Sequence, residues 1–244
     1  MFSEKTQPFL DSLNQHLQDF TTHCPYGLDH KAVYRMARFG MIPEDIMELL
    51  LAAGYRRYGN TIYTMCCEGC RGCVPIKLKP AEFSPNRNQR RTTKKNSDLI
   101  VEITDLNPDE EQISLLQKFF DSRYPGKHNT AKDYYAGFFL NSSNFTCEIH
   151  YKLEERLVGV AVTDLGSTWM NAVYFYFDPE YASRSPGTFN ILHQIELCRK
   201  LNIDNLYLGY WIETVEAMNY KASFLPHYLL EKEDWRRVSA DNNP

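Results

Sequence analysis

Three strand-like runs dominate the second half of this chain: "FTCEIHYKL" (residues 145–153), "RLVGVAVTDL" (156–165) and "WMNAVYFYF" (169–177). A loop, "DPEYASRSPGT", a helical pattern, "FNILHQIELCRKLN", and a further strand-like run, "NLYLGYW", come next. The β-β-β-α-β order predicts an α+β lobe built on an antiparallel-centred mixed sheet, and it argues against a doubly wound domain. Sixteen tyrosines and fourteen phenylalanines are many, and "YFYF" could pass for a base-stacking platform. Strand alternation turns half of them inward, which favours core packing.

With 244 residues and 43% apolar content the chain can bury two modest cores. Two lobes are therefore expected, an N-terminal cysteine-containing α+β region over 1–104 and a second lobe over 105–244. In the first, "PEDIMELLLAA" (43–53) reads as a helix with Glu44 and Asp45 at its positive end and Gly54 past its other end. "YRRYGNTIYTM" reads as a hairpin turning at Gly59-Asn60, and "VPIKLK" as a half-buried strand. "LIVEITD" is another strand. Beyond it Asn107 and Pro108 suit an N-cap and first turn, and there the second lobe begins. No apolar run approaches a membrane span, and "MFSEKTQPFLDSLNQHL" lacks the basic start and apolar stretch of a leader, so a cytoplasmic protein without a membrane partner is expected.

The net charge of −4 conceals an asymmetry. Residues 71–95 carry eight Lys or Arg against Glu82 alone, a segment of +7 in a chain whose remainder is −11. Ser84 and Pro85 offer a cap and first residue for a helix in which Arg87, Arg90, Arg91, Lys94 and Lys95 fall at i, i+3, i+4, i+7 and i+8. Cations cannot be buried unpaired, so that face meets either water or an anion.

Four of seven cysteines lie in "CCEGCRGC" (66–73). In a reducing compartment such clustering points to metal ligands or reactive thiols rather than disulfides. Cys67, Cys70 and Cys73 with Cys24 could hold Zn or an iron–sulfur cluster; a packed, metal-free thiol knot and a catalytic nucleophile are the alternatives. Cys147 and Cys198 suit buried positions. Arg184, Gly187 and Thr188 precede a predicted helix, where main-chain amides can receive phosphate or carboxylate. None of the seven histidines falls in a metal-binding pattern.

Four segments taken together, "GYRRYGNTIYTMCCEGCRGCVPIKL", "NQRRTTKKNSDL", "YFYFDPEYASRSPGTFNILHQIEL" and "YLGYWIETVEAMNYKASFLPHYLL", resemble the aminoacyl-tRNA protein transferases of the N-degron pathway. The chain is most similar to the bacterial aspartate/glutamate leucyltransferases and more distantly to eukaryotic arginyltransferases. The resemblance implies a C-terminal lobe like the GNAT acyltransferases. It also implies transfer of an aminoacyl group from tRNA to the N-terminal amine of proteins beginning with Asp or Glu.

The same resemblance places Arg87, Gln89, Arg90, Arg91 and Lys94, together with Arg184, Gly187 and Thr188, toward tRNA or the acidic acceptor. It offers Asp178 as proton acceptor or orienter, Tyr210 as relay, and Lys221 as a cation near the oxyanion or ribose-phosphate. No cofactor is implied for the chemistry, because an aminoacyl ester is already activated. Eukaryotic relatives carry C-x2-C where this chain has Cys24-Pro25-Tyr26-Gly27, so their proposed cluster does not carry over intact. Ser-Pro-Gly-Thr at 185–188 also replaces the Ser-Leu-Gly-Thr common in bacterial relatives. Arginyl transfer, acetyl-CoA-dependent acylation by the same turn, and a cysteine-rich RNA-binding module without catalysis are the competing expectations.

Overall fold

The computed structural model describes residues 6–126, 130–143 and 145–240; residues 1–5, part of the segment read for a leader, lie outside these. The chain runs through α1 (Thr6–Asn14), β1 (Gln18–His23), β2 (Lys31–Arg38), α2 (Glu44–Ala52), β3 (Arg56–Tyr58), β4 (Thr61–Met65) and β5 (Val74–Leu78). Next come α3 (Arg87–Lys95), β6 (Leu99–Asp105), α4 (Glu110–Arg123), α5 (Ala131–Tyr134), β7 (Thr146–Leu153), β8 (Arg156–Leu165), β9 (Trp169–Phe177) and α6 (Pro186–Leu201). It closes with β10 (Asn205–Trp211), α7 (Glu216–Asn219), β11 (His227–Glu231) and β12 (Asp234–Val238). The class is α+β, as the element order predicts. Among the described residues no helix is long and apolar enough to cross a membrane.

Two compact units divide the chain, one made of Met1–Leu78 with Tyr207–Pro244, the other of Lys79–Leu206. This differs from a single boundary at 104/105. Strand β5 pairs antiparallel with β11, Ile76 opposite Leu229, so the C-terminal strands return to the first unit. The basic helix and "LIVEITD" belong to the second, where β6 pairs with β7 along its whole length.

In the first unit β1, β2, β4 and β3 form an antiparallel sheet in that order. The β3–β4 hairpin turns at Gly59-Asn60 as its sequence predicts, with Tyr58 opposite Thr61.

In the second unit β6, β7, β8 and β9 form an antiparallel meander. Strand β8 is buried on both faces, which explains its nearly unbroken apolar run. One face, with Leu157, Val160 and Val162, packs on Leu115, Leu116, Phe119 and Phe120 of α4. The other, with Val158 and Ala161, packs with Ile149, Tyr151 and Phe189, the last from α6. Tyr176 is fully buried and the other rings of "YFYF" pack around the two cores, so they are structural, not a stacking platform.

Three helix starts differ from the sequence expectation. Asn86, not Ser84, caps α3, because Asn86 and Gln89 satisfy each other's main-chain N–H groups in a capping box. Asp109 and Gln112 do the same for α4 in place of Asn107. Helix α6 begins at Pro186, which puts Gly187 and Thr188 inside its first turn.

Candidate active site

The second unit brings the two anion-binding candidates together. Arg87, Arg90, Arg91, Lys94 and Lys95 are all exposed on α3, while Gln89 is 3% exposed and spent on the capping box. The C-terminal end of α3 is tied to the turn before α6. Lys95 Nζ donates to the Ser183 carbonyl at 2.6 Å, and Asn96 Nδ2 donates to the Arg184 carbonyl at 2.9 Å. Arg184 returns the contact through Nη2, to the Lys95 carbonyl at 2.6 Å and to the Asp98 carboxylate at 2.5 and 2.7 Å. This carboxylate is held below its usual range chiefly by that hydrogen bond.

Arg184 is therefore a clamp whose charge is already matched. Arg87, Arg91 and Lys94 form no ion pair among the described residues. Ser185 sits at φ 55° and gives α6 no side-chain cap, so the N–H groups of Gly187 and Thr188 have no side-chain acceptor from Ser185. A basic helix face and an uncapped helix start, joined by hydrogen bonds, suit a phosphate backbone.

Of the two parts offered for Asp178, proton acceptor or orienter, its surroundings favour the second. Its carboxylate is 1% exposed and accepts from Lys118 Nζ at 2.8 Å, Arg156 Nη2 at 2.6 Å and the Glu180 N–H at 3.1 Å. Burial alone would raise its pKa, but Lys118, the Glu180 N–H and Arg156 together outweigh burial and hold it below the usual range. A carboxylate so committed is a weak proton acceptor. It anchors the 3-10 turn Pro179–Arg184 that leads into α6.

In the first unit Cys73 and Cys67 of the cysteine loop, with Cys24, lie near Tyr34. All seven cysteines are free thiols. Burial first, then Cys67, Cys24 and Cys70, push the Cys73 thiol up to about 12, so these sulfurs sense one another. Cys67 Sγ accepts the Val33 N–H at 3.4 Å. The donor chemistry suits zinc, but among the described residues no group of three or more His, Cys, Asp or Glu is arranged to hold a metal ion.

Tyr210 and Lys221, singled out from the C-terminal motif, do meet. Lys221 Nζ donates to the Tyr210 main-chain carbonyl at 2.7 Å and contacts Met218 Sδ at 3.8 Å. The Tyr210 hydroxyl is flanked by Thr64 and the main chain of Met65, yet among the described residues no partner completes a hydrogen bond to it. Burial raises its pKa, which weighs against a relay through the phenolate.

Sequence reasoning missed Arg56, which is 5% exposed, lies over the Tyr210 ring at 5.4 Å and donates from Nη2 to the Gly209 carbonyl at 2.7 Å. It sits on a short strand next to another arginine, and no spacing rule distinguishes the two.

Burial, with Arg56 adding to it, lowers Lys221 to about 7. A lysine depressed in the folded state costs stability at every pH where the unfolded chain would hold it charged. That cost is absent above about pH 10.5, grows as pH falls, and is complete below about 7. Lys221→Met should therefore be more stable than the parent by on the order of a few kcal/mol at pH 6, with the gap closing toward pH 10. Thermal melts of both proteins across that range check it.

Comparison with known sequences bears on this arrangement. The profile "Arginine-tRNA-protein transferase, N terminus" matches residues 22–91, and "Arginine-tRNA-protein transferase, C terminus" matches residues 111–231. The aspartate/glutamate leucyltransferase of Pseudoalteromonas atlantica (strain T6c) is 36% identical over 79% of this chain and 84% of that protein. The chain belongs to the arginine-tRNA-protein transferase family.

A second leucyltransferase of the same name, from Bradyrhizobium sp. (strain ORS 278), is 35% identical over 91% of each chain. The first profile takes in the cysteine loop and most of the basic helix, and the second ends at Glu231, beyond Lys221. Among solved structures, L-PGS from Bacillus licheniformis aligns at TM-score 0.45 and 10% identity over 86% of this chain and 76% of that one. A GCN5-related glucosamine N-acetyltransferase region from a fungal multi-domain protein aligns at 0.40 and 11%, over 68% and 20%. Neither likeness is close enough to bear on what the chain does.

Proposed function

We propose that the protein transfers leucine from leucyl-tRNA to the α-amine of proteins that begin with Asp or Glu, creating a degradation signal, in the cytoplasm. The observation that carries this reading is the match to both halves of one transferase family, in order, alongside leucyltransferases that align over most of their length.

The amine nitrogen forms a C–N bond with the leucyl carbonyl carbon. The ester C–O bond to the tRNA terminal ribose breaks, and the amine's proton ends on the ribose oxygen. An N-terminal amine titrates near 8, so an appreciable fraction is neutral at pH 7 and a strong base is not required. Alignment supplies most of the acceleration.

In this reading Arg87, Arg90, Arg91 and Lys94 hold tRNA phosphates, and the Gly187 and Thr188 amides receive the phosphate nearest the acylated end. Asp178 and Arg184 fix the turn that presents those amides. Tyr210 and Lys221 serve the acceptor. The cysteine loop acts as a folded cap. Cys70→Ala should accordingly lower the melting temperature or raise KM while kcat stays within severalfold; normal folding and KM with no turnover would move the chemistry to the thiols.

The direct test charges a bacterial tRNA pool with each radiolabelled amino acid and offers peptides beginning with Asp, Glu, Arg, Lys or Ala. Leucine on the Asp and Glu peptides alone is the expected result. Arginine as the donor would keep the family and revise the specificity. No transfer from intact aminoacyl-tRNA would overturn the reading in favour of an RNA-binding module.

A further inference from the structure

A buried guanidinium, Arg56, and a partly exposed ammonium, Lys221, share one small space in the first unit, and among the described residues neither forms an ion pair. Arg56 spends Nη1 on the Tyr55 carbonyl at 2.8 Å and Nη2 on the Gly209 carbonyl, while its Nε, also buried, has no partner. Lys221 spends one N–H on the Tyr210 carbonyl. Between them stands Gly209, at φ 80°. A Cβ built on this glycine would lie 3.8 Å from Lys221 Nζ and 4.0 Å from Arg56 Nε, with no other atom within 4 Å outside its chain neighbours.

The missing side chain therefore leaves a gap bordered by an unused guanidinium N–H and an ammonium. Gly209 and Lys221 are both partly exposed, so an outside group can reach it. The Tyr210 ring, 5.4 Å from the Arg56 guanidinium, and Tyr63, 6.5 Å from Tyr210 ring to ring, add aromatic surface nearby and bring no negative charge.

We infer that Arg56 and Lys221, across Gly209, form the subsite that takes the side-chain carboxylate of the acceptor's first residue. A guanidinium buried without an acid beside a second cation is costly unless an anion joins them, and a carboxylate has two oxygens to bridge two donors. Phosphates have a separate place on the exposed cations of α3. The inference rests on the acceptor reading above and deepens it, assigning to Arg56 and Lys221 the discrimination of Asp or Glu from their amides.

The test measures equilibrium binding of fluorescent peptides that differ only in beginning with Asp or Asn, to the parent protein and to Lys221→Met, Arg56→Met and Arg56→Lys. Leucine-transfer kinetics are measured in parallel. The parent should prefer Asp roughly tenfold or more, and Lys221→Met, which should melt higher, should lose most of that preference. Should Arg56→Met fail to fold, Arg56→Lys keeps the charge, changes the donor geometry and should lower the preference severalfold.

KM for the Asp peptide should rise while KM for leucyl-tRNA holds. Folded variants that retain the Asp preference would overturn the subsite and leave the proposed reaction standing. A raised KM for tRNA alone would reassign the cations to phosphate and overturn it as well. A parent protein blind to Asp against Asn would overturn both the subsite and the acidic acceptor.

Discussion

Asp178→Ala should destabilise the protein by about 2–4 kcal/mol, the combined loss of a cap and two charge-assisted hydrogen bonds. The carboxylate is 1% exposed, but Lys118 and Arg156 are substantially exposed and regain water when it leaves, which keeps the cost below that of a wholly buried pair. Because the folded carboxyl titrates below its usual range, its contribution is present above about pH 4 and is lost as pH falls through the lower, folded value. The gap in stability between the parent and Asp178→Ala should therefore shrink under acid.

On activity the expected loss is in the use of leucyl-tRNA, through KM, since the residue holds the turn ahead of α6. Asp178→Asn tests the alternative. An amide can still cap Glu180 and should keep much of kcat at saturating tRNA. If kcat collapsed with the melting temperature intact, the proton-acceptor role would return.

Replacing Arg87, Arg91 and Lys94 together by Ala should lower kcat/KM for leucyl-tRNA by roughly 100-fold at physiological salt and flatten its salt dependence by about two in the log–log slope. All three are exposed and none anchors the helix, whose cap is Asn86 with Gln89, so folding should be unaffected. Arg90 and Lys95 are spared because each also serves the fold, donating to Pro85 and Ser183 carbonyls. Unchanged tRNA kinetics and slope would make this face merely solvated. Transfer to the peptide at saturating tRNA gives the internal control, since KM for the acceptor should hold.

How much of this could be read from the chain differs from feature to feature. The β6–β9 strands, the Gly59-Asn60 hairpin and the helical phase of the five cations were legible because each depends on neighbours within a few residues. The helix starts at Asn86 and Asp109 were open to view as N-x-x-Q and D-x-x-Q patterns. They were missed because Ser84-Pro85 and Asn107-Pro108 offer competing local signals, and reciprocal capping outweighed these.

The motif that singled out Asp178 did not reveal that its charge is spent, since Lys118 and Arg156 reach it from other elements of the unit. Likewise, Arg184 is matched by Asp98, 86 positions away. The sequence by itself determined the class of fold, the order of strands and a basic stripe that must face water or an anion. Only the tertiary structure decided that β5 joins the C-terminal strands, that α3 is clamped to the start of α6, and that Arg56 meets Lys221 across Gly209. Each of those unites residues far apart in the chain, where long-range packing and burial, not local propensity, set the free energy.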